Sequence, residues 1–161
     1  MTDADLMRLA LNEARASTRL VRPNPRVGCA ILAKDGRVVL GHHQKAGAPH
    51  AEIEAMELAR KQGIPLKGAT VAVTLEPCCH YGRTPPCTQA LIEAGVARVL
   101  VALEDPFPKV AGRGIQILRQ AGIEVVLGVG ADVAETINRE WLVAHRQGRP
   151  HRPGRRSRRD R

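Results

Sequence analysis

The chain of 161 residues has few aromatic side chains, no long apolar run and no N-terminal pattern of a secretory signal. Its three aromatic residues are Tyr81, Phe107 and Trp141. This scarcity argues against nucleic-acid-binding sheets that stack bases on exposed rings. A membrane helix needs about 18 or more consecutive apolar residues, and a secretory leader needs a basic and then an apolar segment. We therefore expect a cytoplasmic protein that does not bind membranes.

The net charge of +9 is concentrated at the C-terminal end. Seven arginines and one aspartate fall within residues 149–161, among proline, glycine and serine. A segment of this composition cannot bury an apolar face. We expect a folded domain over residues 1–147 and a disordered arginine-rich tail over residues 148–161, which binds polyanions weakly and without specificity. A dedicated binding arm is the alternative.

Hydrophobic periodicity predicts an α/β domain. Helices are predicted over residues 5–20, 51–61, 84–94, 112–121 and 132–144, and strands over residues 27–33, 38–40, 70–75, 98–103 and 124–128. After the initial hairpin, strands and helices alternate. Three successive strand–helix units favour a sheet that is parallel in its second half and covered by helices on both faces. The pattern does not determine the order of the strands.

Three of the four cysteines lie close together, at positions 78, 79 and 87. A secreted disulfide scaffold is shorter and richer in cysteine, so this cluster favours a metal or catalytic site. Cys29 differs from the other three because it lies in the apolar run of residues 27–32. We predict that it is a small buried core residue.

The strongest chemical pattern joins three predicted elements. His50 and Glu52 stand at the start of one helix, Cys78 follows a strand, and Cys87 stands at the start of the next helix. One imidazole and two thiolates suit zinc, and three protein ligands leave a fourth tetrahedral position for water. Glu52 lies two residues beyond His50, so it can reach that water without being a ligand, as a general acid–base carboxylate must. The pattern predicts one zinc ion per subunit.

A purely structural zinc site is the alternative at this point. Such sites normally take four protein ligands, and Cys79 or His80 could supply the fourth. That interpretation leaves Glu52 without a purpose.

The two motifs resemble those of the zinc-dependent nucleobase deaminases, whose signature is H-x-E followed by P-C-x-x-C. Here the first half is intact, but the second cysteine lies nine residues after the first instead of three. The stretch 74–87 is similar to the deaminase domain of the riboflavin-biosynthesis deaminase/reductase, within the cytidine/deoxycytidylate deaminase superfamily. Further agreement lies in Pro23-Asn24-Pro25, in residues 41–52 and in Asp105-Pro106, so the resemblance covers about residues 5–145.

The resemblance implies a cytidine-deaminase-like fold, a three-layer α/β/α sandwich around a mixed five-stranded sheet. It implies hydrolysis of the 2-amino group of 2,5-diamino-6-(5-phosphoribosylamino)pyrimidin-4-one, an early step of riboflavin biosynthesis that releases ammonia. His50, Cys78 and Cys87 would bind zinc, whose bound water is the nucleophile. Glu52 would shuttle protons from that water to the ring nitrogen and to the leaving amine.

Candidate substrate contacts fall into two groups. The resemblance implies contacts from Asn24, His42 and Asp105. The substrate phosphate calls for cations, and cationic candidates in loops near the metal are Lys45, His80 and Arg83. Cys79 stands where the family usually has serine, so we expect it to line the pocket. Phe107 replaces the family's usual asparagine and puts one substrate hydrogen bond in doubt.

Family members usually continue into a reductase domain that uses NADPH, whereas this chain ends at Arg161. We expect no reductase domain and no NADPH, either in a natural stand-alone deaminase or in a truncated or frame-shifted product. The expected partners are a small pyrimidine nucleotide as substrate and further copies of the chain in a homo-oligomer. Two alternatives stay open: a nucleic-acid deaminase of the transfer-RNA type that uses the tail as a phosphate-binding arm, and a non-enzymatic partner of a complete deaminase.

Overall fold

A computed structural model describes residues 1–82 and 84–146. Its helices are α1 Asp3–Ala16, α2 Ala51–Lys61, α3 Cys87–Ala94, α4 Arg113–Gln120, α5 Ala131–Ile137 and α6 Arg139–Arg146. Its strands are β1 Gly28–Leu32, β2 Val38–His42, β3 Thr70–Val73, β4 Arg98–Val101 and β5 Glu124–Leu127. The arginine-rich tail that was predicted over residues 148–161 lies outside the described residues. No described helix has both the length and the apolar character needed to cross a bilayer.

The five strands form one mixed sheet in the order β2-β1-β3-β4-β5. Strand β1 runs antiparallel to both of its neighbours, and β3, β4 and β5 run parallel to one another. The predicted mixed five-stranded sheet, parallel in its second half, is therefore confirmed. The carboxyl end of β3 lies centrally in this sheet, and the chain continues from there towards Cys78.

The strands place alternate side chains in two separate cores, so the fold has three layers. On one face Ile31, Val71 and Val99 pack with apolar residues of α2, α3 and α4. On the other face Ala30, Ala72 and Leu100 pack with α1 and α5. Because successive strand residues point to opposite faces, neighbours such as Ala30 and Ile31 belong to different cores. The predicted burial of Cys29 is confirmed, since it is fully enclosed in the first core.

Two predicted helix ends were wrong. The first helix stops at Ala16 instead of residue 20, because Ser17 has an extended backbone and its buried hydroxyl donates to the His43 carbonyl at 2.6 Å. The helix predicted from residue 84 begins only at Cys87, with Pro86 as its extended N-cap. A residue that precedes proline is pushed out of the α region, so two consecutive prolines delay the helix.

The single helix predicted over residues 132–144 is two helices, and this prediction was also wrong. Asn138 interrupts it with a non-helical backbone between α5 and α6. The Asn138 side chain bonds the Arg26 backbone twice, accepting from its N–H at 2.9 Å and donating to its carbonyl at 2.7 Å. Periodicity along one segment cannot reveal a bond to a residue 112 positions away.

Two glycines bring elements close together near the end of the sheet where the motif residues meet. A Cβ at Gly41 of β2 would lie 2.7 Å from the backbone nitrogen of Ala55 in α2. A Cβ at Gly114 of α4 would lie 2.3 Å from the carbonyl oxygen of Pro77. Both positions exclude larger residues because the clash is with backbone. The first turn of α2 and the loop that carries Cys78 are therefore fixed against their neighbours.

Candidate functional site

Three of the predicted ligands come together at one point of the fold. His50 is the N-cap of α2, Cys87 is the first residue of α3, and Cys78 lies in the loop after β3. His50 Nδ1 lies 3.7 Å from Cys78 Sγ and 3.4 Å from Cys87 Sγ, and all three donor atoms lie within 4.8 Å of one another. Burial increases from the exposed His50 to the enclosed Cys87, so the cluster opens to solvent on one side.

The donor set fits a zinc ion. Zinc bonds of about 2.3 Å to sulfur and about 2.0 Å to nitrogen, at tetrahedral angles, separate the two donor types by about 3.5 Å. The two measured nitrogen–sulfur separations, 3.4 and 3.7 Å, bracket that value. A proton shared between His50 and the thiols could also hold this geometry, but one imidazole and two thiols are a preferred donor set for zinc.

Hydrogen bonds favour a thiolate at Cys78. The Cys87 thiol lowers the pKa of Cys78 most, and contacts with His50 and the Cys87 backbone N–H, 3.2 Å from the sulfur, lower it further. The same interaction with Cys78 raises the pKa of Cys87. The hydrogen bond with Cys78 raises the pKa of His50, against its burial. The Cys78 sulfur thus lies at the N-terminus of α3, which favours a thiolate that can bind a cation.

Glu52 is a buried carboxylate beside the cluster, and only 3% of its surface is exposed. It lies in the first turn of α2, where the positive end of the helix faces it. Burial raises the pKa of Glu52 to about 7, against the lowering effects of backbone and Cys87 hydrogen bonds. A carboxyl group in this environment can both accept and return a proton near neutral pH.

A cavity of about 420 Å³ opens over the cluster. Its lining includes the ligand candidates His50 and Cys78 together with Glu52. The volume lies within the range of small-molecule sites, roughly 300–1,000 Å³. Four histidines line the cavity, and among the described lining residues there is no lysine or arginine.

A hydrogen-bond chain fixes the amide of Asn24 at the cavity wall. His43 is buried, and burial lowers its pKa, so the ring is neutral near pH 7. Its Nδ1 lies 3.1 Å from the Pro49 carbonyl, which can only accept, so Nδ1 carries the proton. His43 Nε2 then accepts from Asn24 Nδ2 at 3.0 Å. Asn24 Oδ1 is therefore the atom that can accept a hydrogen bond from a ligand.

On another wall, the carboxylate of Glu76 organises the loop between β4 and α4. It accepts backbone N–H groups from Asp105 at 2.8 Å, Gly112 at 2.9 Å and Ile115 at 3.1 Å. The Asp105 side chain accepts from the Phe107 N–H at 2.8 Å and lines the cavity. Burial raises the pKa of Asp105.

Comparison with known proteins identifies the family. A sequence model described as the cytidine and deoxycytidylate deaminase zinc-binding region matches residues 1–103, which include the whole cluster. The chain belongs to this deaminase family. A purely structural zinc site is disfavoured in such a deaminase, because the buried Glu52 lies next to the cluster.

Among curated relatives, the deaminase resembles the riboflavin biosynthesis protein RibD of Escherichia coli, at 51% identity over 94% of this chain. The solved structure of Acinetobacter baumannii RibD matches with a TM-score of 0.84 at 48% identity over 91% of this chain. A deaminase/reductase from Thermotoga maritima also gives 0.84, at 39% identity and 91% coverage. The chain spans 40%, 40% and 42% of these three proteins, respectively. The expected cytidine-deaminase-like fold is confirmed.

The structure places most of the predicted contact residues of this deaminase around the cavity. Asn24, Cys79, His80 and Asp105 line it, and so does Phe107. Burial raises the pKa of Cys79, and its sulfur is not part of the three-residue cluster.

Two predicted contacts, His42 and Lys45, do not line the cavity of the deaminase. His42 lies elsewhere, with Nδ1 2.9 Å from Glu13 Oε1 and its N–H donating to Glu54 at 2.8 Å. Lys45 is exposed in the loop before α2 and does not line the cavity. Arg83 lies outside the described residues.

Sequence reasoning missed His43, Glu76, Trp141 and His145, all of which line the cavity of the deaminase. Strand alternation could have found His43. Val39 belongs to the core under α2, and Leu40 packs against the opposite core. Because every second residue of a strand points to the same face, His43 is expected on the face of Val39, towards α2. The other three residues have no local signal that separates them from ordinary buried or surface side chains.

Proposed function

We propose that this deaminase hydrolyses the 2-amino group of 2,5-diamino-6-(5-phosphoribosylamino)pyrimidin-4-one and releases ammonia. The observation that carries the proposal is the buried Glu52 beside the His50–Cys78–Cys87 cluster, within one cavity of nucleotide size. The similarity to RibD proteins supports the choice of this substrate within the deaminase family.

His50, Cys78 and Cys87 would hold one zinc ion. Zinc at such a site activates water for attack at neutral pH. Glu52 takes one proton from the attacking water and passes it to the ring nitrogen next to C2. The oxygen–carbon bond then forms, Glu52 carries the second water proton to the amine, and the carbon–nitrogen bond breaks to give the uracil ring and ammonia.

The remaining contacts are proposed from their positions. Asn24 accepts a hydrogen bond from the substrate through Oδ1, because an N–H of its amide donates to His43 and so fixes the orientation of the side chain. Asp105, Cys79 and His80 contact the ring and sugar from the opposite loops. Contacts to the phosphate from Arg83 and Lys45, and a contact from His42, stay predictions. The homo-oligomer and the cytoplasmic location also stay predictions.

The test is ammonia release by the purified, zinc-loaded chain. The diaminopyrimidine nucleotide, deoxycytidylate and a transfer RNA are compared at equal concentration. We expect turnover of the diaminopyrimidine nucleotide alone. Turnover of deoxycytidylate or of RNA without turnover of the diaminopyrimidine would contradict the proposal. No turnover of any of the three would favour the non-enzymatic alternative.

A further inference from the structure

The match to the deaminase family model ends at residue 103, but the cavity does not. Part of its wall comes from the loop after β4, at Asp105, Phe107 and Val110, and part comes from α6, at Trp141 and His145. The zinc-binding region therefore supplies the reacting centre, and the chain beyond it completes the cavity.

Trp141 and His145 form a stacked pair one helical turn apart on α6. Their ring centroids are 4.2 Å apart and their planes differ by 28°. His145 Nδ1 donates to the Trp141 carbonyl at 2.8 Å, which fixes the imidazole on its own helix. One face of the indole is therefore packed against a fixed ring, and the orientation of Trp141 is set before a ligand enters.

Asn138 fixes the position of the helix that carries this pair. Its two hydrogen bonds to Arg26 join the start of α6 to the loop that bears Asn24, another lining residue. Because both polar groups of the Asn138 amide are used, a rotation of α6 would break two partly buried hydrogen bonds.

We propose that Trp141 is a specificity-determining residue that contacts the heteroaromatic ring of the substrate, and that His145 and Asn138 are positioning residues for it. The identity of the ligand rests on the proposed function. The indole is planar and uncharged, so it matches the planar pyrimidine and not the phosphate. Alanine substitution of an aromatic residue that stacks on a base weakens binding by about 5- to 100-fold.

Trp141 is the single tryptophan of the chain, so its fluorescence reports on this wall directly. The zinc-loaded protein is titrated with the reaction product, 5-amino-6-(5-phosphoribosylamino)uracil, which is not turned over. Deoxyuridylate and ribose 5-phosphate are titrated in parallel, and calorimetry measures each affinity independently. We expect a saturable emission change with the product, at the affinity that calorimetry gives, and none with ribose 5-phosphate. Product binding by calorimetry with unchanged emission would overturn the inference.

Variants provide the second measurement. Trp141→Ala is expected to weaken product binding by about 5- to 100-fold. Trp141→Phe, which keeps an aromatic face, is expected to restore most of the affinity. Val143→Ala is the matched control, because Val143 lies on the same helix, is 52% exposed and does not line the cavity. Unchanged affinity in Trp141→Ala would refute the contact. If deoxyuridylate binds and the product does not, the proposed substrate is wrong, and the same readouts with deoxyuridylate decide the role of Trp141.

The positioning role of Asn138 is tested by Asn138→Asp. Aspartate can still accept from the Arg26 N–H, but it cannot donate to the Arg26 carbonyl. We expect KM to rise about 2- to 10-fold, with kcat and zinc content nearly unchanged. A lowered kcat at unchanged KM would contradict the proposal that Asn138 acts by positioning Trp141.

Discussion

The carboxylate of Glu76 accepts the backbone N–H of Asp105 at 2.8 Å, across 29 positions of sequence. Glu76 precedes the Pro77-Cys78 step, so one buried side chain connects the loop of a proposed zinc ligand to the loop of a proposed substrate contact. Two more backbone donors, from Gly112 and Ile115, converge on the same carboxylate. The relative position of the two loops therefore depends on a charged acceptor.

Glu76→Gln is expected to lower the free energy of unfolding by about 1.5–3 kcal/mol, the usual contribution of a hydrogen bond to a charged group. The amide keeps one acceptor oxygen and turns an NH₂ donor towards a backbone N–H. Urea unfolding of the zinc-loaded protein measures the difference. Glu104→Gln is the matched control, because Glu104 is exposed in the loop between β4 and α4, next to Asp105. Equal stability of the two variants would show that the Glu76 bonds contribute little.

The zinc site is tested by serine substitutions. Cys78→Ser and Cys87→Ser are each expected to lose most of the zinc and to unfold at lower temperature, because the metal joins separate elements. Metal analysis after gel filtration measures the content. Cys79→Ser is the control and is expected to keep about one zinc per subunit, since its sulfur lies outside the cluster. Zinc loss in Cys79→Ser would instead support a four-ligand structural site.

Glu52→Gln tests the proton shuttle. The amide cannot accept or return a proton, so turnover should fall by about 10²- to 10⁴-fold or more, while zinc and the fold remain. The assay is ammonia release at matched zinc content. Glu57→Gln is the control on the exposed side of the same helix and is expected to behave as wild type. A Glu52→Gln variant that keeps more than about a tenth of wild-type turnover would exclude Glu52 as the shuttle.

An ion pair at the first residue of β4 predicts a dependence of stability on pH. Arg98 of β4 donates to Asp3 of α1 at 2.8 and 3.0 Å and also pairs with Glu124 of β5 at 3.2 Å. The hydrogen bond from Arg98 holds the pKa of Asp3 below the ordinary value of an aspartate. Because the folded pKa is depressed, the pair stabilises the protein above the unfolded pKa, and this contribution is lost as the pH falls through the folded pKa.

Asp3→Asn should therefore destabilise the protein by at most about 1 kcal/mol at pH 7 and low salt, since both side chains are partly exposed. The difference from wild type should shrink as the pH falls through the depressed folded pKa of Asp3 and vanish once that carboxyl group is protonated. Chemical unfolding at a series of pH values measures it. Asp132→Asn is the matched control, because Asp132, like Asp3, is an aspartate in the first turn of a helix. A difference that persists at low pH would exclude the ion pair as its cause.

The proposed reacting centre could be predicted from the sequence because its residues form short motifs at the starts of predicted helices. His50 and Glu52 are two positions apart at the predicted start of one helix. Cys87 follows a proline, which is typical of a helix start, so all three residues were expected at helix N-termini. Cys29 was predictable for the same reason, since its apolar neighbours define a central strand.

The rest of the cavity wall could not be predicted in this way. Its position depends on side chains that form hydrogen bonds with backbone groups far away in the sequence. Asn138 looks like an ordinary helix residue until Arg26 is brought to it, and Glu76 looks like a surface carboxylate until three N–H groups converge on it. His43, which follows the last residue of β2, lines the cavity, whereas His42 ends the strand and contacts Glu13.

Two hydrogen bonds between Asn138 and Arg26 hold α6 to the loop that bears Asn24. The proposed metal ligands lie within residues 50–87, and the indole wall lies on the last described helix. Local unfolding of α6 would thus weaken nucleotide binding and leave zinc in place. Since a ligand stabilises the region it contacts, nucleotide should slow amide hydrogen exchange in α6, whereas zinc should slow it first in the opening turns of α2 and α3. The two occupants of one cavity would then protect different parts of the same chain.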